Sequence, residues 1–142
     1  MFSRFTGYAL KALAFLAQQS PGKLTGAREI AAATEIPIPF LWKVLRHLNR
    51  TKFVRSAKGV YGGYELARPA KQISLISVVE ATQRQNPDLH CMLGIVECDP
   101  SQPCPLHEPW SDIRDRVQST LSKKTVADLL PKRKSKLSSK RS

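Results

Sequence analysis

Residues 30–48 read IAAATEIPIPFLWKVLRHL. The alanines predict a short helix from about Ala27 to Ala33. EIPIP then turns the chain, and Pro39 suits the first turn of a following helix, where a missing amide hydrogen costs nothing. That helix is predicted to run to about Asn49. It sets Leu41, Val44, Leu45 and Leu48 on one face and Lys43, Arg46, His47 and Arg50 on the other. Two short helices and a tight turn suggest a helix-turn-helix. Taken alone the signal is weak, because most charged helix faces are simply solvated.

The flanks strengthen it. Upstream, Phe5, Ala9, Ala12, Leu13 and Leu16 recur at helical spacing, with Thr6 placed to cap the start and Ser20-Pro21-Gly22 to stop the helix. Downstream, KFVRSAKGVYGGYELARP holds two β-like runs, Phe53 to Ala57 and Tyr64 to Ala67, around a glycine-bearing loop ended by Pro69. A hairpin, or wing, is expected there. Ser74 can cap a further helix through about Thr82, with Leu75, Val78 and Val79 turned inward.

A helix-turn-helix followed by a basic hairpin makes double-stranded DNA the leading partner. The candidate contacts are Arg28, then Pro39, Phe40, Trp42, Lys43, Arg46, His47 and Arg50, and Lys58 and Tyr61 on the wing. Trp42 and Tyr61 have the chemistry to stack on bases, although single aromatics more often pack against neighbours. His47 is expected at the surface or on a phosphate rather than on a metal.

The charge distribution agrees. The chain has 142 residues and a formal charge of +12. Residues 1–84 carry thirteen Lys/Arg against four Asp/Glu, whereas residues 86–109 carry no Lys or Arg and four acids. Net charge speaks to partners rather than to fold. Residues 131–142, PKRKSKLSSKRS, add six basic groups and almost nothing apolar, which predicts a disordered tail. Residues 8–17 are interrupted by Lys11 and are too short for a membrane span, so no membrane partner and a cytoplasmic location are expected.

All three cysteines lie in residues 91–107, CMLGIVECDPSQPCPLH, at a spacing of C-x(6)-C-x(5)-C-x(2)-H. Five of the ten prolines lie in or beside this stretch, which predicts a loop. Cys91, Cys98, Cys104 and His107 make a full four-coordinate set for a soft or borderline metal. The spacing matches neither paired zinc knuckles nor ferredoxin runs. On spacing alone the readings rank as structural zinc, iron–sulfur cluster, metal-free thiol switch, and lastly a cysteine nucleophile with His107 as its base. The last lacks an oxyanion hole or a shaped pocket, so no enzymatic activity is expected.

Beyond the loop, Leu106, Trp110, Ile113, Val117 and Leu121 form a one-sided apolar seam. Such a seam must be covered, and the same helix of a second chain is the economical partner. Trp110, Ile113, Val117 and Leu121 are therefore the expected homodimer contacts, with packing onto the chain's own domain as the other outcome.

Taken together these residues resemble the IscR/NsrR-type winged-helix regulators of the Rrf2 superfamily, over nearly the whole chain to about Leu130. FTGYALKAL resembles the opening helix, IAAATEIPIPFLWKVLRHL the helix-turn-helix and VRSAKGVYGGYELARP the wing. The spaced cysteines, LHEPW and the closing TVADLL complete the likeness. The resemblance implies a mainly α fold with a small β-hairpin: a winged helix-turn-helix plus a long C-terminal dimerisation helix. It divides the chain into a DNA-binding domain (1–84), a cysteine-rich loop (85–105), a dimerisation helix with a short closing helix (106–130) and the tail (131–142).

The resemblance also implies a homodimeric transcription regulator, expected to be a repressor, whose DNA affinity follows an iron–sulfur cluster sensing iron, redox state or nitric oxide. It places the cluster above zinc, with Cys91, Cys98 and Cys104 as ligands. Some 4Fe-4S relatives take a carboxylate near the start of the first helix, but the matching position here is Gly7. His107 stands where the IscR histidine stands, which favours 2Fe-2S over 4Fe-4S, with His90 in reserve. Zinc-binding or metal-free thiol regulation remains the alternative, and a cluster carrier or assembly accessory a more distant one. Val60 and Tyr61 replace the Pro-Gly common at the wing tip, and Trp42 and Lys43 replace the polar readers frequent on the recognition helix. The first cysteine gap is one residue longer than in IscR.

Overall fold

The computed structural model describes residues 2–83, 101 and 104–131. Helix α1 spans Arg4–Ala17, α2 Ala27–Thr34 and α3 Ile38–Arg50. Strands β1 (Val54–Ala57) and β2 (Gly63–Leu66) follow, then a 3-10 turn at Ala70–Gln72, α4 (Leu75–Thr82), α5 (His107–Lys123) and a closing 3-10 turn at Val126–Leu129. The fold is mainly α with one antiparallel hairpin, as expected. None of these helices is long and apolar enough to cross a membrane.

The apolar spacing explains the packing. Ala9, Ala12, Leu13 and Leu16 on α1 meet Ile30 on α2, Leu41, Val44, Leu45 and Leu48 on α3, and Leu75 and Val78 on α4 in one buried cluster. The four α3 residues are completely buried, so the helix's orientation is set from behind and its charged side is left outward. Thr6 does not cap α1. Ser3 does, accepting from the Thr6 amide, while the Thr6 side chain is buried and meets Thr82 Oγ1 at 2.7 Å and Gln83 Oε1 at 2.8 Å. A threonine can serve either at a cap or as a buried tether, and only the contact with α4 distinguishes the two.

Two non-glycine residues take left-handed backbone, Glu35 (φ 59°) in the turn between α2 and α3, and Lys52 (φ 64°) after α3. At Lys52 the Phe53 amide reaches back to the Leu48 carbonyl at 2.8 Å, closing the helix. The hairpin pairs Val54 with Leu66 through Ala57 with Gly63. Thr25 joins it by a bridge to Tyr64, and a side chain at Gly63 would run into the Thr25 backbone at 2.7 Å. The wing is thereby attached to the body of the domain.

The C-terminal segment is tied to the same body. Leu75 N donates to Lys124 O and Val126 N to Ile73 O, and Val126 is fully buried in the common cluster. Val126 thus joins the core built by α1–α4, although it follows α5 in sequence.

Candidate nucleic-acid interface

Helix α3 presents Pro39, Phe40, Trp42, Lys43, Arg46, Asn49 and Arg50 outward. Trp42 is 53% exposed, so it is not a core residue. Phe40, 47% exposed, is partly engaged: its ring is tilted against Tyr8 at 6.3 Å, and Lys43 Nζ lies 5.9 Å from its centroid. Arg28 is exposed on α2. Pro37 ends the turn without a side-chain cap, and Pro39 lies in the first turn of α3.

His47 departs from the surface position expected of it. Its Nε2 lies 2.6 Å from the carbonyl oxygen of Ala81, near the end of α4, and its ring meets Phe5 edge-on at 5.5 Å. A carbonyl only accepts, so Nε2 carries the hydrogen. Nδ1 is then an acceptor facing Arg50 Nη2 at 3.4 Å. The imidazole is a strut between the recognition helix and α4, and it steers Arg50. Nothing in the local sequence signals this, because the partner is a backbone atom 34 residues away.

The wing tip is a closed turn. Gly62 N donates to Gly59 O at 3.0 Å, so Val60 and Tyr61 occupy the two central positions, and they are 92% and 91% exposed. Gly59 has φ +102°, and a side chain at Gly62 would collide with the Ala57 carbonyl, so both glycines are required by the turn. Tyr61 therefore does not pack against neighbours. Lys58 is exposed beside it, while Arg55 is paired with Glu65 at 3.3 Å across the hairpin. Arg68 lies over the Phe53 ring, with its guanidinium carbon 5.1 Å from the centroid.

Of the sulfur and nitrogen ligands expected, Cys91, Cys98 and His90 lie outside the described residues, as do most of the 85–105 loop and the tail from residue 132. Cys104 and His107 are described. Both are half-buried, and the His107 amide donates to the Cys104 carbonyl at 3.0 Å, so one turn carries both side chains at the start of α5. Cys104 is a free thiol. Among the described residues no group of three such side chains gathers around one point.

The α5 seam divides. Trp110 is only 8% exposed and is buried by its own chain, α5 lying along α4, and Leu121 packs against the central cluster. Ile113, 43% exposed, and half-buried Val117 border a shallow groove with Arg116 and Thr120. With Leu106, 40% exposed at the start of α5, these two are what the seam leaves uncovered among the described residues.

This arrangement has known counterparts. The family model Rrf2, described as an iron-dependent transcriptional regulator, matches residues 2–132. A protein of Aquifex aeolicus described as an HTH-type transcriptional regulator is 33% identical over 132 residues, covering 92% of this chain and 91% of its own. The HTH-type transcriptional regulator IscR of Cereibacter sphaeroides is 34% identical over 91 residues, 64% of this chain and 58% of that protein. Among solved structures, CymR (YrzC), the global cysteine regulator of B. subtilis, matches with a TM-score of 0.75 at 24% identity, over 91% of this chain and 95% of that one. With its buried-backed recognition helix, its wing and a family match along nearly its whole length, the chain belongs to the Rrf2 family of transcriptional regulators.

Proposed function

We propose that this regulator is a cytoplasmic homodimer that binds double-stranded operator DNA as a repressor, with its affinity set by an iron–sulfur cluster held on Cys91, Cys98, Cys104 and His107. The observation that carries the proposal is the bond from His47 to the Ala81 carbonyl, because it connects the DNA-facing helix to the helix that leads into the cysteine segment.

The donor set fits the group. A free thiol and an imidazole share one turn, both partly buried, and thiolate and imidazole suit iron as well as zinc. The 2Fe-2S form with His107 as fourth ligand is favoured, with 4Fe-4S as the other form. When bound, the cluster supplies a redox-active centre that oxidants, nitric oxide or iron scarcity can alter.

The protein's part is positional. Ligation by Cys104 and His107 fixes the first turn of α5, α5 lies along α4, and α4 holds His47 through Ala81. Lys43, Arg46 and Arg50, with Arg28 behind them, face the major groove, and Lys58 and Tyr61 reach phosphate or the adjacent minor groove. Two half-sites a helical turn apart must be engaged together, so a small shift between subunits changes affinity. A tenfold change requires only about 1.4 kcal/mol.

The test is anaerobic isolation with iron, sulfide and zinc counts, then operator binding of loaded and cluster-free protein. His107→Ala is expected to leave the fold intact and make the cluster labile, read as altered visible absorption. Colourless protein holding neither iron nor sulfide after reconstitution would overturn the reading, and stoichiometric zinc would replace it with a zinc regulator.

A further inference from the structure

The outward face of α3 has an unusual chemical bias. From residue 39 to residue 46 the exposed side chains are Pro39, Phe40, Trp42, Lys43 and Arg46. Their only hydrogen-bonding groups are the Trp42 indole N–H, the Lys43 ammonium and the Arg46 guanidinium. All three are donors, and none can accept.

The nearby acceptors lie outside these residues: on His47, in α2 and the turn before α3, or in the last turn of α3. His47 is held by Ala81 and Arg50. The Thr34 hydroxyl donates to the Ile30 carbonyl at 2.7 Å, and Glu35 borders a depression against α1 with Lys11 and Gln18. Asn49 is exposed but lies in the last turn, away from the N-terminal end that reads base edges in helix-turn-helix proteins.

In the major groove guanine offers two acceptors, N7 and O6, and thymine offers O4 beside a methyl group. Adenine sets its N6 donor beside a single acceptor, N7, and cytosine N4 is a donor. A donor set against a donor leaves both unpaired in a desolvated contact, which is costly. Lys43 and Arg46 therefore match guanine, and the apolar faces of Trp42 and Phe40 match the thymine methyl.

We propose that α3 selects operators by their acceptors, reading guanine through Lys43 and Arg46 and thymine through Trp42, and disfavouring half-sites that place adenine or cytosine on the strand these side chains face. The inference rests on the DNA-binding reading above and deepens it by naming the sequence class.

The test begins with the full chain, cluster-loaded and cluster-free, and a random-sequence duplex pool. Enriched half-sites are expected to carry guanine and thymine on the contacted strand. In such a duplex, 7-deazaguanine at the enriched guanine is expected to weaken binding about tenfold or more, and uracil for thymine several-fold. Arg46→Gln gains an acceptor and is expected to shift its position toward adenine. If enriched sites instead tolerate 7-deazaguanine and uracil, but lose binding when adenine N6 or cytosine N4 is removed, the inference falls while DNA binding stands. Enrichment insensitive to all base analogues, with Lys43 and Arg46 acting only on phosphates, also overturns it. A pool with no enrichment in either preparation removes the DNA-binding reading itself.

Discussion

Replacing His47 by phenylalanine removes both imidazole hydrogen bonds, the short one to Ala81 and the longer, exposed one from Arg50. The variant keeps a ring of similar size against Phe5, so the 5.5 Å edge contact is retained, and it removes the 2.6 Å bond to Ala81. A hydrogen bond of this kind contributes about 0.5–1.5 kcal/mol net. The expected loss of stability is thus about 1 kcal/mol, or about 2–4 °C in Tm for a chain of this size, measured by urea and thermal unfolding. The functional consequence is separate. If α3 and α4 are coupled through this bond, the ratio of operator affinities for cluster-loaded and cluster-free protein should shrink by up to about tenfold, the equivalent of about 1.4 kcal/mol. Fluorescence anisotropy on one operator duplex at fixed salt reads that ratio. His47→Gln places an amide donor near the position of Nε2 and should restore part of it. An unchanged ratio in His47→Phe would refute the coupling, whatever happens to stability.

Four further outcomes are expected. Lys52→Gly relieves a left-handed residue at the end of α3 and should stabilise the protein by about 1 kcal/mol in urea unfolding, since glycine enters that conformation without steric cost. Replacing Val60 and Tyr61 together by serine removes the exposed apolar wing tip, and should weaken binding to matched and mismatched duplexes alike in anisotropy titrations, leaving the unfolding midpoint within about 0.5 kcal/mol of wild type. Val117→Glu sets a charge in the groove beside Ile113 and should shift the protein to monomer in sedimentation, while Trp110→Ala, which opens a buried site, should instead lower stability by about 3–5 kcal/mol.

Periodicity and turn chemistry made most of the fold legible in the sequence. The α3 boundaries, its buried Leu41, Val44, Leu45 and Leu48, the hairpin and the Ser74 cap follow from local rules: apolar residues three and four apart, proline in a first turn, glycines at a wing tip and serine before a helix. Each depends only on residues close in sequence, and the tertiary structure agrees with each.

What only the tertiary structure decided involves partners distant along the chain. Thr6 has the chemistry of a cap, yet Thr82 and Gln83 claim it from 76 and 77 residues away. His47 shares a cationic stripe with Arg46 and Arg50, yet it turns inward, because α4 places the Ala81 carbonyl within its reach. The α5 seam is one continuous stripe in sequence, but the chain itself buries Trp110, Leu121 packs against the central cluster, and Leu106, Ile113 and Val117 are left partly exposed. Sequence pattern shows which side chains must leave water. Which neighbour covers them, and which polar groups remain free to meet DNA, depends on the three-dimensional packing of helices far apart in the chain.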